Sequence, residues 1–170
     1  MRRVALAAMW MMAVGWTASA ADSWVLPNTN VDVENKWKNE TKAYDNNLST
    51  FGEDWSNRAG FGGWVEFRWT TPVYSDRLRC GADFGYGLVD LVEVAVKYDQ
   101  TADFVTVHSG AIADAQYQTI QFTAGSVTAV RFRNHYTAAG YVFWLYDLQL
   151  YRTTPSVQDP TVETQAAENV

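Results

Sequence analysis

The chain has 170 residues, with 13 Lys and Arg against 19 Asp and Glu, and a formal net charge of -6 at pH 7. This length suits one well-packed domain and is short for two. The acidic balance, without a run of basic residues, argues against nucleic acid or an anionic membrane surface as a partner. Aromatic residues make up 15% of the chain, which indicates a folded domain of a binding type.

The first 20 residues show the three regions of a secretory signal. Arg2 and Arg3 precede an apolar run over residues 4–16, and the small residues Ala18, Ser19 and Ala20 follow it. The run is shorter than the roughly 20 residues of a membrane-spanning helix, so the pattern predicts a signal peptide cleaved after Ala20. We therefore expect the mature protein to be secreted, periplasmic or on the cell surface, with no transmembrane segment and a net charge of about -8.

The mature chain consists mainly of short β-type runs separated by turn residues. Residues 21–41 are weakly patterned, and Trp24 and Trp37 are their apolar anchors. The predicted strands span residues 64–69, 77–82, 91–98, 104–108, 118–123, 128–134 and 143–152. Between them lie turn signals such as Thr71-Pro72 and residues 124–126. Regularly spaced strands without a sustained helical period predict an all-β sandwich or barrel.

Alternation along the predicted strands assigns one apolar face to each. Val65, Phe67 and Trp69 share a side of their strand, as two packed sheets require. Cys80 is the only cysteine of the chain, and its strand context predicts a buried thiol. Residues 153–170 lack periodicity and are predicted to be a disordered tail or a linker, which leaves residues 21–152 as the domain.

Four motifs occur in the order seen in one family of β-sandwiches. They are residues 43–50 (AYDNNLST, close to A-x-D-G-N-x-x-T), 63–67 (GWVEF), 130–132 (VRF) and 146–151 (YDLQLY). This series resembles the discoidin, or coagulation factor C-type, domains of the galactose-binding-like superfamily, which includes many carbohydrate-binding modules. The resemblance covers residues 40–152 and implies a jelly-roll sandwich of about eight antiparallel strands. Asn46 stands where the family usually has Gly, and Asn is the next best residue for a left-handed turn.

In this family, the opening loop commonly surrounds a structural Ca²⁺ together with an acidic residue of the last strand. Ca²⁺ prefers oxygen ligands such as carboxylates and carbonyls. The resemblance implies a ligand set of Asp45, Asn47, Thr50, Asp147 and the carbonyl of Lys42. The alternative is an Asx-turn without metal, in which Asp45 and Asn47 bond only to nearby backbone N–H groups.

Ligand residues of such folds usually lie on the loops at one end of the sandwich. A sugar-binding surface needs an aromatic platform and a few polar groups. The preferred cluster is a run at a predicted strand exit, with three neighbours from other loops: Arg133, Asn134, His135 and Tyr136, with Trp55, Arg58 and Tyr86. Each residue also has a structural interpretation. Trp55 could belong to the core, Arg133 could be a solvated strand residue, and His135 could lie on the surface without a ligand.

The sequence contains no catalytic motif that we can recognise. It lacks a nucleophile elbow, an H-E-x-x-H helix and a phosphate-binding loop, and it has only two histidines. We therefore predict a secreted, non-catalytic carbohydrate-binding module with a structural calcium ion. An alternative is a protein-interaction or structural domain of the cell envelope, since one fold supports several functions. A lipid-headgroup binder ranks third, because the net charge is negative.

Overall fold

The computed structural model describes residues 22–83, 89–140 and 142–155. The signal peptide predicted for residues 1–20 lies outside these ranges. The described chain forms one short 3-10 helix, Glu40–Tyr44, and ten strands. The strands are β1 Ser23–Val25, β2 Thr29–Asp32, β3 Trp37–Lys38, β4 Gly52–Asp54, β5 Gly60–Phe61, β6 Val65–Asp83, β7 Val89–Tyr98, β8 Val105–Gly110, β9 Tyr117–Tyr136 and β10 Phe143–Arg152. In the described part, no helix has the length and apolar character needed to cross a membrane.

Two long strands, β6 and β9, build both layers of the sandwich. They pair antiparallel over residues 65–68 with 129–132 and again over residues 77–81 with 117–121, and the register shifts between these two stretches. β2 pairs only with the first part of β6, whereas β10 pairs only with its second part. Because bulges let a strand bend sharply, each long strand passes from one layer to the other. The all-β architecture predicted from the sequence is confirmed.

The first layer contains β2, the start of β6, the end of β9, β7 and β8, and the second contains β3, β4, β10, the end of β6 and the start of β9. The core lies between these layers. Phe132 of the first layer stacks on Phe143 of the second, with ring centroids 5.5 Å apart. Trp37 contacts both rings edge-on and donates its indole N–H to the carbonyl of Gly63 over 2.8 Å. Trp37 therefore closes the core near one end of the sandwich.

The predicted apolar faces are confirmed where the strands are regular. Val65, Phe67 and Trp69 are buried, and so is Cys80, whose thiol has a pKa raised to about 12 by burial. Glu66 alternates with Val65 and Phe67 and therefore points to the outer face, yet it is buried, with Arg68 and Arg131 donating hydrogen bonds to its carboxylate. The outer face of the first layer is thus covered by paired charges as well as by solvent.

The structure differs from the prediction at two turn signals. Thr71-Pro72 and residues 124–126 lie inside β6 and β9, which are continuous strands. Pro72 falls in the register shift between Arg68 and Val73, where its missing N–H costs no ladder hydrogen bond. The turn residues therefore mark the bends where each strand changes layer, and pairs of predicted strands merge into one.

Candidate functional site

Both ends of β6 lie at the same end of the sandwich, which we call the loop end. Asp83 of β6 pairs with Trp144, next to the pairing of Phe143 with Asp54. The segment after β4, residues 55–64, lies at this end, and so do residues 137–140 and 142, which precede β10. The loop end therefore gathers most of the residues predicted to bind a ligand. Tyr86 lies outside the described residues.

Trp55 is exposed at the loop end. Its side chain retains 46% of its accessible surface, so it does not belong to the core as the alternative interpretation had it. The backbone N–H of Trp55 donates to the carbonyl of Lys36, and its indole N–H donates to Glu53 Oε2 over 2.8 Å. The ammonium of Lys38 lies 3.8 Å from the ring centroid. The ammonium covers part of one face of the ring, and together these contacts hold the indole in one orientation while nearly half of the residue stays exposed.

An open cleft of about 260 Å³ lies beside this indole. Trp55, Asn57, Gly140 and Val142 line it. Two of these positions have backbone conformations that place them in sharp turns, with φ of 48° at Asn57 and 98° at Gly140. The sequence analysis did not assign Gly140 or Val142 to the site. The only sequence signal near them is the run of small residues Ala138-Ala139-Gly140, which is typical of a turn.

The run Arg133–Tyr136 does not lie on a loop, because β9 continues to Tyr136. Its last residues pair on one side with β7 and on the other with Gly60 and Phe61 of β5. In a strand, successive side chains point to opposite faces. Arg133 and His135 are therefore partly exposed on the outer face, whereas Asn134 and Tyr136 are buried. The expectation that all four side chains form one exposed cluster is wrong in this respect.

Arg133 and His135 are held by carboxylates and by an aromatic ring. Arg133 Nε donates to Glu93 Oε2 over 2.7 Å, and its guanidinium lies 3.9 Å from the centroid of Phe61. His135 Nδ1 lies 2.7 Å from Asp90 Oδ1, and its ring meets Phe61 edge-on. A ligand would have to compete with these carboxylates. The two residues form a structured patch on the outer face of the first layer, separate from the Trp55 cleft lining.

Arg58 supports the loop that leads into β5. Its Nε donates to the carbonyl of Phe61 over 2.9 Å, and its Nη2 lies 3.6 Å from Glu34 Oε2. About half of its side chain remains exposed. Arg58 therefore has both a backbone-supporting contact and free surface at the loop end.

Buried polar groups lie beneath the loop end. Asp54 Oδ1 accepts hydrogen bonds from the N–H and the hydroxyl of Ser56, while burial raises the pKa of the carboxyl group. Within the described residues, Asp54 Oδ2 and the side-chain amide of Asn134 have no hydrogen-bond partner. Both groups surround the α-carbon of Gly62, where a β-carbon would lie 2.0 Å from Asp54 Oδ2. Only glycine fits at position 62.

The loop that contains Asp45 meets the last strand, as predicted. Gln149 Nε2 of β10 donates both to Asn46 Oδ1 over 2.9 Å and to Asp147 Oδ2 over 2.6 Å. Asn46 has the left-handed conformation expected of the family's glycine position, with φ of 59°. Leu48 packs over Gly81, because a β-carbon there would lie 3.0 Å from Leu48 Cδ2. The loop therefore covers the outer face of the second layer.

The predicted calcium ligands have hydrogen bonds of their own. Asn47 Oδ1 accepts the N–H of Ser49, which is the Asx-turn that the alternative interpretation expected at Asn47. The Asp45 carboxylate instead accepts a side-chain donor, the hydroxyl of Thr50, over 2.7 Å at Oδ2. The ammonium of Lys42 lies 3.8 Å from Asp45 Oδ2. Asp147 is fully buried and accepts the hydroxyl of Tyr117 at Oδ2. Its Oδ1 has no hydrogen-bond partner in the described part of the chain.

Comparison with solved structures shows the class of fold. The chain superposes on the CBM32 of AlyQ, solved in complex with 4,5-unsaturated mannuronic acid, with a TM-score of 0.59 and 13% identity. The match covers 77% of this chain and 99% of the other. A chitosan-binding module from a chitosanase/glucanase of Paenibacillus sp. IK-5 matches 72% of this chain and 92% of its own, with a TM-score of 0.54 and 19% identity.

A third neighbour is CBM32-1 from a family 31 glycoside hydrolase of Clostridium perfringens, with a TM-score of 0.54 and 14% identity over 75% of this chain and 96% of the other. The chain has the galactose-binding-like fold. No protein-family model matches the sequence, and no curated protein matches it either. The likeness at these identities is one of fold, which confirms the resemblance to discoidin-like domains at that level.

Proposed function

We propose that this protein is a non-catalytic glycan-binding module that binds its ligand in the Trp55 cleft. The observation that carries the proposal is the exposed, fixed indole beside an open cleft at the loop end. Ligand sites are typically concave and combine an aromatic surface with a few placed polar groups, which is the arrangement found around Trp55. The solved neighbours include modules named for carbohydrate binding, which supports the same assignment.

The chemistry of the cleft suits a sugar ring. The C–H face of a sugar packs against an aromatic ring, while amide groups bind its hydroxyls. Trp55 supplies the ring, and Asn57 supplies an amide at the cleft wall. Lys38 and Glu53 are close enough to the indole to reach hydroxyls at the edge of the ligand. Arg58, Arg133, His135 and Tyr86 remain candidates for contacts with a longer glycan.

The assignment can be tested with a Trp55→Ala variant and a panel of soluble polysaccharides that includes alginate. We expect affinity electrophoresis to show at least a roughly tenfold loss of affinity, since aromatic stacking contributes about 0.5–1.5 kcal/mol beyond area burial. The matched control is Val105→Ala, which removes another exposed apolar side chain, on β8. Binding that is equal in both variants, with both folded, would contradict the assignment to this cleft.

We also propose that Ca²⁺ binds between the Asp45 loop and β10. The residues fit the ion because Asp147 has a buried carboxylate oxygen, Oδ1, without a hydrogen-bond partner in the described chain. Gln149 links this carboxylate to the loop, since its Nε2 donates both to Asp147 and to Asn46. Asp45, Asp147 and the carbonyl of Lys42 would hold the ion, with Asn47 and Thr50 completing the ligand set. No cluster of three or more His, Cys, Asp or Glu occurs among the described residues, so neutral oxygens must contribute.

The calcium proposal predicts that a chelator lowers the melting temperature. An ion at a hundredfold excess over its dissociation constant stabilises the folded state by about 2.7 kcal/mol. We expect calcium to raise the midpoint in the wild type and to leave it unchanged in Asp147→Asn, as measured by calorimetry. Magnesium is the control, because it fits flexible carbonyl sites poorly. Identical midpoints in EDTA and in calcium would favour the Asx-turn alone.

The export signal and the absence of catalysis belong to the same proposal. A binding module that is exported by the segment over residues 1–20 would meet polysaccharides outside the cell. Without that segment, its net charge of about -8 makes it a weak partner for anionic membranes.

A further inference from the structure

A second cleft, of about 320 Å³, lies at the end of the sandwich opposite the loop end. It forms where β6 and β9 bend from one layer to the other and where the turn after β7 folds against them. Tyr74 comes from β6, Gly125 and Ser126 come from β9, and Tyr98 ends β7. This cleft shares no residue with the Trp55 cleft.

The ring of Tyr98 forms a fixed wall of this cleft. It lies directly on the backbone of Gly125, where a β-carbon would be 2.7 Å from Tyr98 Cδ1 and 2.8 Å from Cε1. Its hydroxyl donates to the carbonyl of Thr123 over 2.7 Å. The ring is thus held at both its face and its tip. A rigid aromatic wall loses little conformational entropy when a ligand packs against it.

Polar groups without internal partners surround this wall. The N–H of Asp99 donates to the carbonyl of Ser126, which fixes the turn against β9. The side chains of Asp99 and Gln100 are exposed and make no hydrogen bond or ion pair to the described part of the chain. No Lys or Arg lines the cleft. Its only charged group is therefore the Asp99 carboxylate.

We propose that this cleft is a second saccharide site, specific for a short amino-sugar oligomer. The sugar packs between Tyr74 and Tyr98, Gln100 and Ser126 bind hydroxyls, and the protonated amine faces Asp99. The cleft fits such a ligand because it has an aromatic wall and a few polar groups, and because its volume lies near the lower bound for small-ligand sites. The unpaired carboxylate, with no cation beside it, favours an amino sugar over a uronate. The site is separate from the Trp55 cleft and extends the proposed function to a second ligand.

The test uses the full chain carrying Trp55→Ala, so that the loop-end cleft cannot account for binding. The probe is a fully deacetylated glucosamine hexamer, titrated by calorimetry and by amide NMR. We expect saturable binding with shifts at the amides of Asp99, Gly125 and Ser126. Asp99→Asn should weaken binding about two- to fivefold, as expected for loss of one exposed ion pair, and Tyr74→Ala about fivefold.

The matched control is Asp103→Asn, which makes the same change of charge in the same turn but outside the cleft lining. It should bind the hexamer as tightly as its parent, and the N-acetylated hexamer should bind more weakly than the amine. Equal weakening in Asp99→Asn and Asp103→Asn would reduce the effect to net charge and overturn the site. No binding to the Trp55→Ala chain would overturn it as well, whatever the loop-end cleft binds.

Discussion

Two substitutions at Tyr136 separate a structural role from a ligand-binding role. The sequence analysis placed Tyr136 in the cluster predicted to bind a ligand, and a side chain that only contacts ligand could be replaced with little effect on stability. In the structure, its ring is buried and its hydroxyl donates to the carbonyl of Asp54 over 3.0 Å. Burial raises the pKa of this hydroxyl well above its ordinary value, so it remains a donor at any working pH.

The contacts of Tyr136 determine the size of each effect. Tyr136→Phe removes one buried hydrogen bond, worth about 1 kcal/mol, which corresponds to a fall in melting temperature of roughly 4 °C for a domain of this size. Tyr136→Ala also empties a fully packed aromatic site, at a cost of about 3–5 kcal/mol. We therefore expect its melting temperature to fall by roughly 12–20 °C.

Thermal unfolding followed by calorimetry, with glycan affinity measured well below both midpoints, gives the comparison. The control for stability is Tyr74→Phe, because the Tyr74 hydroxyl makes no hydrogen bond within the described chain and its loss should cost less than about 0.5 kcal/mol. Tyr136→Phe should bind glycan as the wild type does. A Tyr136→Ala variant with an unchanged midpoint and lost binding would refute the buried position of this ring.

Two further predictions concern the buried polar groups beneath the loop end. Gly62→Ala should destabilise the fold by about 1–3 kcal/mol through its clash with Asp54 and Asn134, measured by urea unfolding, whereas Gly110→Ala should not, because its nearest neighbour would lie 3.8 Å away. Similar losses in both would contradict the clash. Since burial raises the pKa of Asp54 above its ordinary value of 3.8, the folded state holds this proton more tightly. The free energy of unfolding should then fall as pH rises through the folded pKa, and Asp54→Asn should flatten that dependence. Parallel pH profiles for the two proteins would rule out this account of Asp54.

The local pattern predicted the core of the sandwich, and long-range pairing determined the rest. The alternation of apolar and polar residues was enough to predict that Val65 and Phe67 are buried, because every second side chain of a strand points to the same face. Pro72 looks like a turn in sequence and lies in a bend of β6, since only the pairing with β9 shows where the strand changes layer. In the same way, β9 extends through Tyr136 because β5 and β7 pair with it. No local signal records that extension.

The local sequence pattern likewise could not show which of Trp37 and Trp55 is buried in the core. Both residues stand in polar, weakly patterned segments, and size alone favours burial of either. The distinction lies in what each side chain meets across the fold. Trp37 reaches the carbonyl of Gly63 and the rings of Phe132 and Phe143, partners that lie far away in sequence.

The exposure of Trp55 follows from the position of this residue directly after β4. Along β4, Gly52 and Asp54 face inward, and the bond from the N–H of Trp55 to Lys36 continues the ladder by one residue, so Trp55 faces outward. The inward space at this end is already occupied by Trp37. The fold therefore excludes a second indole from the core and leaves it beside an open cleft. Because the fold itself keeps this side chain exposed, the indole is a stable surface that a ligand can bind. The register of β4 is thereby linked to the proposed binding of glycans.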